Sequence, residues 1–328
     1  MTMQELTTTR TNPLVDPGLH VWHGEVAGYL FLGGLVAGLM ILAGIALRRD
    51  PDTPRSRAAA LLPWAAPVLL SVGMFFLWLD LENPFNAFRF YLVFRPASPM
   101  SWGSWILLAI YPASLLLAWA STPADLRWRT RAAIETRGPR LGPVLVHVEQ
   151  WIDARRSSIG TVNVLLGVGL GVYTGLLLGT MAARPMWNSA ILGPLFLTSG
   201  LSTGAAFALL MRVDDGERRL LGRLDMGLIA IELALLAVWI IGLSTAGAAG
   251  QAALATILGG PYTAAFWTLV VALGLVTPFV AEGLEARHGL PTGRLAAVLV
   301  LLGGFSLRWI LVYAGQHVEL AGHLALNG

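Results

Sequence analysis

The sequence predicts an all-α, polytopic membrane protein. Three observations carry that prediction: 55% of its 328 residues are hydrophobic, only 12% are charged, and the apolar residues gather in repeated runs, each of about 20 residues, the length that crosses a bilayer as a helix. A soluble domain carries about 25% charge.

The runs place eight spans at 22–47, 58–80, 101–121, 158–181, 190–211, 224–246, 263–283 and 295–314. Their order is supported by the arginines, the only basic residues besides six histidines. Segments 48–57, 122–157, 212–223 and 284–294 hold 4, 7, 4 and 2 arginines. Arg10, Arg89, Arg95 and Arg184 fall in the opposite segments, and Arg308 alone lies within a span. By the positive-inside rule the arginine-rich side is cytoplasmic, so both termini are expected on the outer, periplasmic side of an inner (plasma) membrane. The formal charge of +3 therefore records topology and does not mark a nucleic-acid binder. The first 19 residues lack the apolar core of a signal peptide and read as a short translocated tail.

Taken in order, span one carries Gly33, Gly34 and Gly38, a groove that suits either helix packing or a flat ring or isoprenoid tail. Span two ends in Asp80 and Glu82. The stretch Asp80 to Trp105, DLENPFNAFRFYLVFRPASPMSWGSW, then sets two carboxylates, two arginines, three prolines and seven aromatic residues at the outer surface. A mere connector needs none of these. The loop Thr122 to Ser157 is the longest break and is expected to hold a surface helix on an anionic leaflet. In span four Gly167, Gly171, Gly175 and Gly179 recur every four residues, a smooth stripe for close helix packing.

Polar groups within or beside spans are costly and become functional candidates by default. Here they are His23 and Glu25 at the head of span one, Asp80 and Glu82 at the end of span two, Glu232 inside span six, Glu282 at the inner end of span seven and Arg308 in span eight. Glu25, Glu82 and Glu282 lie near enough to an interface for plain solvation to explain them. Glu232 stands about nine residues, roughly 13 Å, beyond Arg223, near the bilayer midplane. A carboxylate there is expected to be protonated, paired or wetted, and to belong to a polar file with Ser199, Ser202 and Thr203 of span five. The alternative is a protonated Glu that does no more than hydrogen-bond between helices.

His20 and His23 stand three apart, but the chain has no cysteine and no second in-span His to complete a metal site. For the same reasons neither an iron–sulfur cluster nor a bis-histidine haem is expected. A His beside an Asp at a bilayer edge suits a neutral, proton-coupled molecule, since imidazole is the side chain that exchanges protons near neutral pH. A quinone fits.

Four blocks, GYLFLGGLVAG (Gly28 to Gly38), FRPASPMSWGSW (Phe94 to Trp105), YTGLLLGTMAARPMWN (Tyr173 to Asn188) and LFLTSGLSTG (Leu195 to Gly204), make the chain resemble the NrfD and polysulfide-reductase membrane-subunit family. The resemblance implies two antiparallel four-helix bundles, divided here at 1–182 and 183–328, with no haem. It implies a quinone or quinol site (menaquinone or ubiquinone) in the first bundle, an iron–sulfur subunit docked on the outer face, and a molybdopterin or other catalytic subunit beyond. Carried over residue by residue, it points to His23 and Asp80 as ring-contacting and catalytic groups and to Tyr111 as a further contact. In the second bundle it points to Arg184 and Glu232 on a possible proton path. The expected function is thus the quinone-reactive membrane subunit of a respiratory oxidoreductase. The alternatives are a proton-coupled secondary transporter, against which the lack of paired broken helices counts, and a purely structural anchor.

Overall fold

A computed structural model describes residues 22–49, 56–81, 84–92, 94–137, 142–181, 184–288 and 293–317. The expectations for His20, Glu82 and the terminal tails lie outside these residues. Eight helices among them are long and apolar enough to cross a membrane. They are α1 (Gly24–Arg49), α2 (Arg57–Leu79), α3 (Pro99–Ser121), α6 (Arg156–Gly179), α7 (Leu192–Leu210), α8 (Asp215–Thr245), α10 (Thr263–His288) and α11 (Gly293–His317). The loop between α3 and α6 folds as two surface helices, α4 (Ala124–Arg137) and α5 (Gly142–Ala154), and α9 (Gly247–Ala255) follows α8.

Local chemistry explains where the helices start and bend. The Ser56 hydroxyl accepts the Ala59 N–H to cap α2, which then tightens into a 3-10 turn over Leu62–Trp64 at Pro63, a residue with no amide hydrogen to give. The helix α8 begins at Asp215, not at 224, because Asp214 and Glu217 form a reciprocal capping box that starts the helix among polar residues, outside the run that hydropathy detects. In α10 the segment Phe266–Val276 widens to π-helix just before Pro278, where the regular bonding register is lost. The wide turns seat Gly274 so close to Gly303 of α11 that a Cβ would stand 2.5 Å from the Gly303 Cα.

Helices α1, α2, α3 and α6 pack on one another, as do α7, α8, α10 and α11, and α1 packs as closely on α7 as on its own neighbours and also touches α11. The glycines make this contact possible. A Cβ on Gly204 would lie 2.9 Å from the Gly38 carbonyl carbon, and one on Gly167 would lie 2.9 Å from the Ala37 carbonyl oxygen. The α6 stripe therefore serves packing, as its spacing predicts. Two of the three α1 glycines resolve the same way: Gly38 faces the backbone of Gly200 and Gly204, and Gly34 yields its side-chain space to the Arg308 guanidinium, 2.5 Å from where a Cβ would be, whereas a Cβ on Gly33 would meet only the Thr174 methyl at 3.5 Å. Neither Gly34 nor Gly38 leaves room for a ring or a tail.

Candidate functional site

At the arginine-poor face the residue that opens α1 and the residue that closes α2 stand side by side. His23 precedes α1, and Asp80 closes α2, its backbone N–H bonded to the Phe76 carbonyl. The His23 Nδ1 and Asp80 Oδ1 atoms are 4.0 Å apart, with the imidazole 70% exposed and the carboxylate 13%. Asp80 also accepts a hydrogen bond from the His23 backbone. Burial nevertheless pushes the Asp80 carboxyl above the usual carboxylate range; the His23 side chain and that backbone bond pull the other way, and Glu25 adds to the rise. Glu25, in the first turn of α1, completes a cluster in which one ligand-type atom from each of His23, Glu25 and Asp80 lies within 4.8 Å of the others. The backbone beneath is held firmly. Trp22 exchanges hydrogen bonds with the Gln316 side chain of α11 at 3.0 and 2.9 Å and stacks on Trp187.

Tyrosines gather on the neighbouring helices. Tyr29, about 9 Å further along α1, is buried beside Gly73 of α2 and interacts with Tyr173 and Tyr91. The Tyr173 hydroxyl occupies the space that a side chain at Gly103 would take. Burial, and secondarily Tyr111, pushes the Tyr91 phenol above its ordinary value. Tyr111 itself pairs with the Ser71 hydroxyl at 3.2 Å. Ser71 is nine residues before Asp80 on α2, so Tyr111 lies about 13 Å below the carboxylate, deeper than Tyr29. Sequence reasoning singles out neither Tyr29 nor Tyr173 for this position; their place near the starts of two resemblance-bearing blocks is the available signal.

Beyond Asp80 the chain turns through a 3-10 segment at Pro84–Tyr91 and exposes Phe85, Phe88, Leu92 and Phe94. Phe94 sits edge-on to Trp102 and Trp105, while the Ser101 hydroxyl accepts the Arg95 N–H and Trp102 Nε1 donates to the Pro96 carbonyl. The result is an ordered aromatic surface at the start of α3.

The second polar assembly is buried between α7, α8, α10 and α11. Arg308 donates to Ser199 Oγ at 3.1 Å, to the Gly304 carbonyl at 2.8 Å and to the Phe196 carbonyl at 3.3 Å, and lies over the Phe196 ring. Glu232 lies near Ser199, Arg308 and Asp225. Ser202 donates to Asp225 at 2.5 Å. Asp225 neighbours Glu282, yet Asp225 Oδ2 and both Glu282 oxygens find no hydrogen-bond partner among the described residues. Glu282 is 4% exposed, so solvation does not explain it. It lines a small crevice of about 80 Å³ with Arg218, Arg219, Arg223 and Glu285, at the arginine-rich face.

These buried polar groups fall into two sets, Arg308 with Ser199 and Glu232, and Ser202 with Asp225 and Glu282. Arg184 stands apart from both, donating at 2.7 Å to the Gln316 carbonyl at the far end of α11, eight residues and about 12 Å from Arg308. Asp225 escapes sequence reasoning because it abuts the arginine cluster. Its spacing of seven from Glu232, two helical turns on one face, is the signal that could have found it.

This architecture and these blocks agree with comparisons to known proteins. The chain matches the family described as Polysulphide reductase, NrfD, over residues 11–320, and it belongs to that family of multi-pass membrane proteins. It is 30% identical to the C-chain of polysulfide reductase from Wolinella succinogenes over 90% of this chain and 94% of that one. It is likewise 30% identical to protein NrfD of Escherichia coli K12 over 90% and 95% of the two chains. The C-subunit of tetrathionate reductase from Salmonella typhimurium is 26% identical, over 88% of this chain and 77% of its own length.

Proposed function

We propose that the chain is the membrane subunit of a respiratory oxidoreductase complex, exchanging electrons and protons between a quinone pool, menaquinone or ubiquinone, and an iron–sulfur partner on the arginine-poor face. A molybdopterin or other catalytic subunit would complete the electron path. Relatives named as reductase subunits support the class. The absence of cysteine in this chain supports a separate cluster-bearing partner, and the exposed aromatic surface at Phe85, Phe88 and Phe94 has the composition that anchors interfaces.

The observation that carries the reading is the His23 and Asp80 pair. A quinol gives up two protons and two electrons; the carboxylate of Asp80 and the imidazole of His23 are suited to take the protons, while the electrons pass to the partner. A ring seated against the pair would have Tyr29, Tyr91 and Tyr173 on the neighbouring helices. Tyr111, held by Ser71, would act from greater depth, on the substituents of a ring and not on its oxygens. The first group of helices (1–182) thus serves the quinone. The second (183–328) is assigned a proton path through Ser199, Ser202 and Glu232, with Asp225 and Glu282 toward the arginine-rich face and Arg184 at the outer end.

The test is His23→Ala and Asp80→Asn in the assembled complex. Each is expected to lower quinone-linked turnover by at least about 100-fold, the range of general acid–base catalysis, with assembly and dye-linked activity of the catalytic subunit unchanged. Near-wild-type quinone rates in both variants would overturn the assignment.

A further inference from the structure

Away from both polar assemblies, a crevice of about 460 Å³ opens at the arginine-rich end of the molecule, where the two groups of helices meet. One wall is α1, which presents Leu42, Ile45, Ala46 and Arg49. The other is the start of α8, which presents Glu217, Leu220, Leu221 and Leu224. Each set follows the spacing i, i+3, i+4, i+7, a single helical stripe, and each has its charged member at the membrane-surface end. Two such stripes facing one another normally pack. Here they are held apart, because Glu217 is occupied elsewhere: it accepts from the Ser56 hydroxyl and backbone and from the Asp214 backbone N–H, tying α8 to the start of α2. The 3-10 turn at Pro63 closes the third side.

The charges select the occupant. With the Glu217 carboxylate consumed by three hydrogen bonds, Arg49 is the charge left at the mouth, and it has no ion pair among the described residues. Arg48 precedes it and exposed Arg212 flanks Val213, which also lines the crevice. Ser121, the last residue of α3, also lines the crevice, and its hydroxyl is buried without a hydrogen-bond partner among the described residues. An apolar slot, an unpartnered hydroxyl on its wall and a cation at its charged end make up the outline of one molecule. We infer that this crevice is a binding site for a single anionic glycerophospholipid, its acyl chain between α1 and α8, its ester carbonyl toward Ser121 and its phosphate on Arg49. The lipid mates the two groups of helices where side chains do not.

The experiment is native mass spectrometry of the purified complex, delipidated and then incubated with phosphatidylglycerol and phosphatidylcholine of identical acyl chains. One phosphatidylglycerol per chain is expected to be retained in preference to phosphatidylcholine. Arg49→Gln should reduce that preference about fivefold, the worth of one arginine near a lipid phosphate. Ala46→Trp, which fills the slot, should reduce the retained lipid count by one. Leu220→Trp fills it from the opposite wall at a residue 58% exposed, and gives the same reading should the Ala46 variant fail to assemble. Equal retention of the two lipids, an unchanged preference in Arg49→Gln, an unchanged count in the filled variants, or a neutral isoprenoid displaced by them would each overturn the site.

Discussion

The pair at the arginine-poor ends of α1 and α2 and the network between α7 and α11 both set acid beside base, but they are built to opposite specifications. His23 leaves its imidazole largely in the open and stands 4.0 Å from Asp80, too far for a hydrogen bond. Arg308 is 0% exposed and gives hydrogen bonds to one hydroxyl and two carbonyls. A loosely paired, half-wet group changes partner at small cost, which is what a substrate with exchangeable protons requires. A buried cation held by several acceptors keeps its neighbours in fixed places. The former suits the proton exchange proposed for it; the latter first of all holds helices together.

That contrast breaks soonest at Arg308. Arg308→Met removes the cation while keeping much of its volume, and strands Ser199 and Glu232 inside the protein. Removing one partner from a buried ionic network costs about 3–5 kcal/mol, so the complex is expected to lose thermal stability and assemble in reduced yield, read by a melting scan in detergent. A variant as stable as wild type would show that the network is not the clamp its hydrogen bonds describe.

Glu232→Gln cuts the network more gently, keeping shape and hydrogen-bonding capacity while removing titration. In proteoliposomes quinone turnover is expected to stay within about threefold of wild type, a change of under about 1 kcal/mol in the barrier, while charge moved per electron falls to background. A wild-type complex that moves no charge would end the proton-path proposal, and a Gln variant that keeps both rate and charge movement would exclude Glu232 from it.

At the His23 and Asp80 pair the effect to measure is a displacement on the pH axis. Burial raises the Asp80 carboxyl, so as pH falls it takes up its proton earlier than a free carboxylate at about 3.9 and stops serving as a base. The acid limb of quinol oxidation is therefore expected above that value, and the residual activity of Asp80→Asn should lack it. An acid limb unchanged in Asp80→Asn assigns the titration to another group.

The smallest effect falls to Tyr111→Phe. Its hydroxyl meets Ser71 in an exposed contact, worth about 1 kcal/mol or less, and quinone turnover is expected to change by less than about threefold, within that same energy. A loss as large as that of Asp80→Asn would bring Tyr111 into the reacting site despite its depth.

The eight spans are legible in the sequence because a bilayer imposes one requirement on every crossing segment, a long apolar helix with its backbone bonds satisfied internally. That requirement reads the same whatever the helices touch. Boundaries depart from hydropathy where another force sets them, as at Asp214 and Glu217, whose capping box starts α8 outside the apolar run. The sequence predicts a single surface helix where the structure has α4 and α5. Their arrangement as a pair is fixed by cross-helix ion pairs, Arg127 with Asp153 and Arg131 with Glu149, which spacing alone does not reveal.

For the candidate sites the division runs by the range of the interaction. His23, Asp80 and Glu232 announce themselves singly, since a polar group in or beside an apolar run is costly wherever it points. Partnership is different, because it joins residues far apart in the chain and depends on how helices rotate. Only the packed structure brings His23 to Asp80, seats Arg308 in the space left by Gly34, turns Asp225 toward Ser202 and sends Arg184 to the Gln316 carbonyl. The sequence by itself thus determined the class of protein, its crossings and its costly residues, because hydrophobicity and charge act residue by residue. Which of those residues meet, and which stand apart, was decided by close helix packing at glycines, a property of pairs of helices that no single stretch of chain contains.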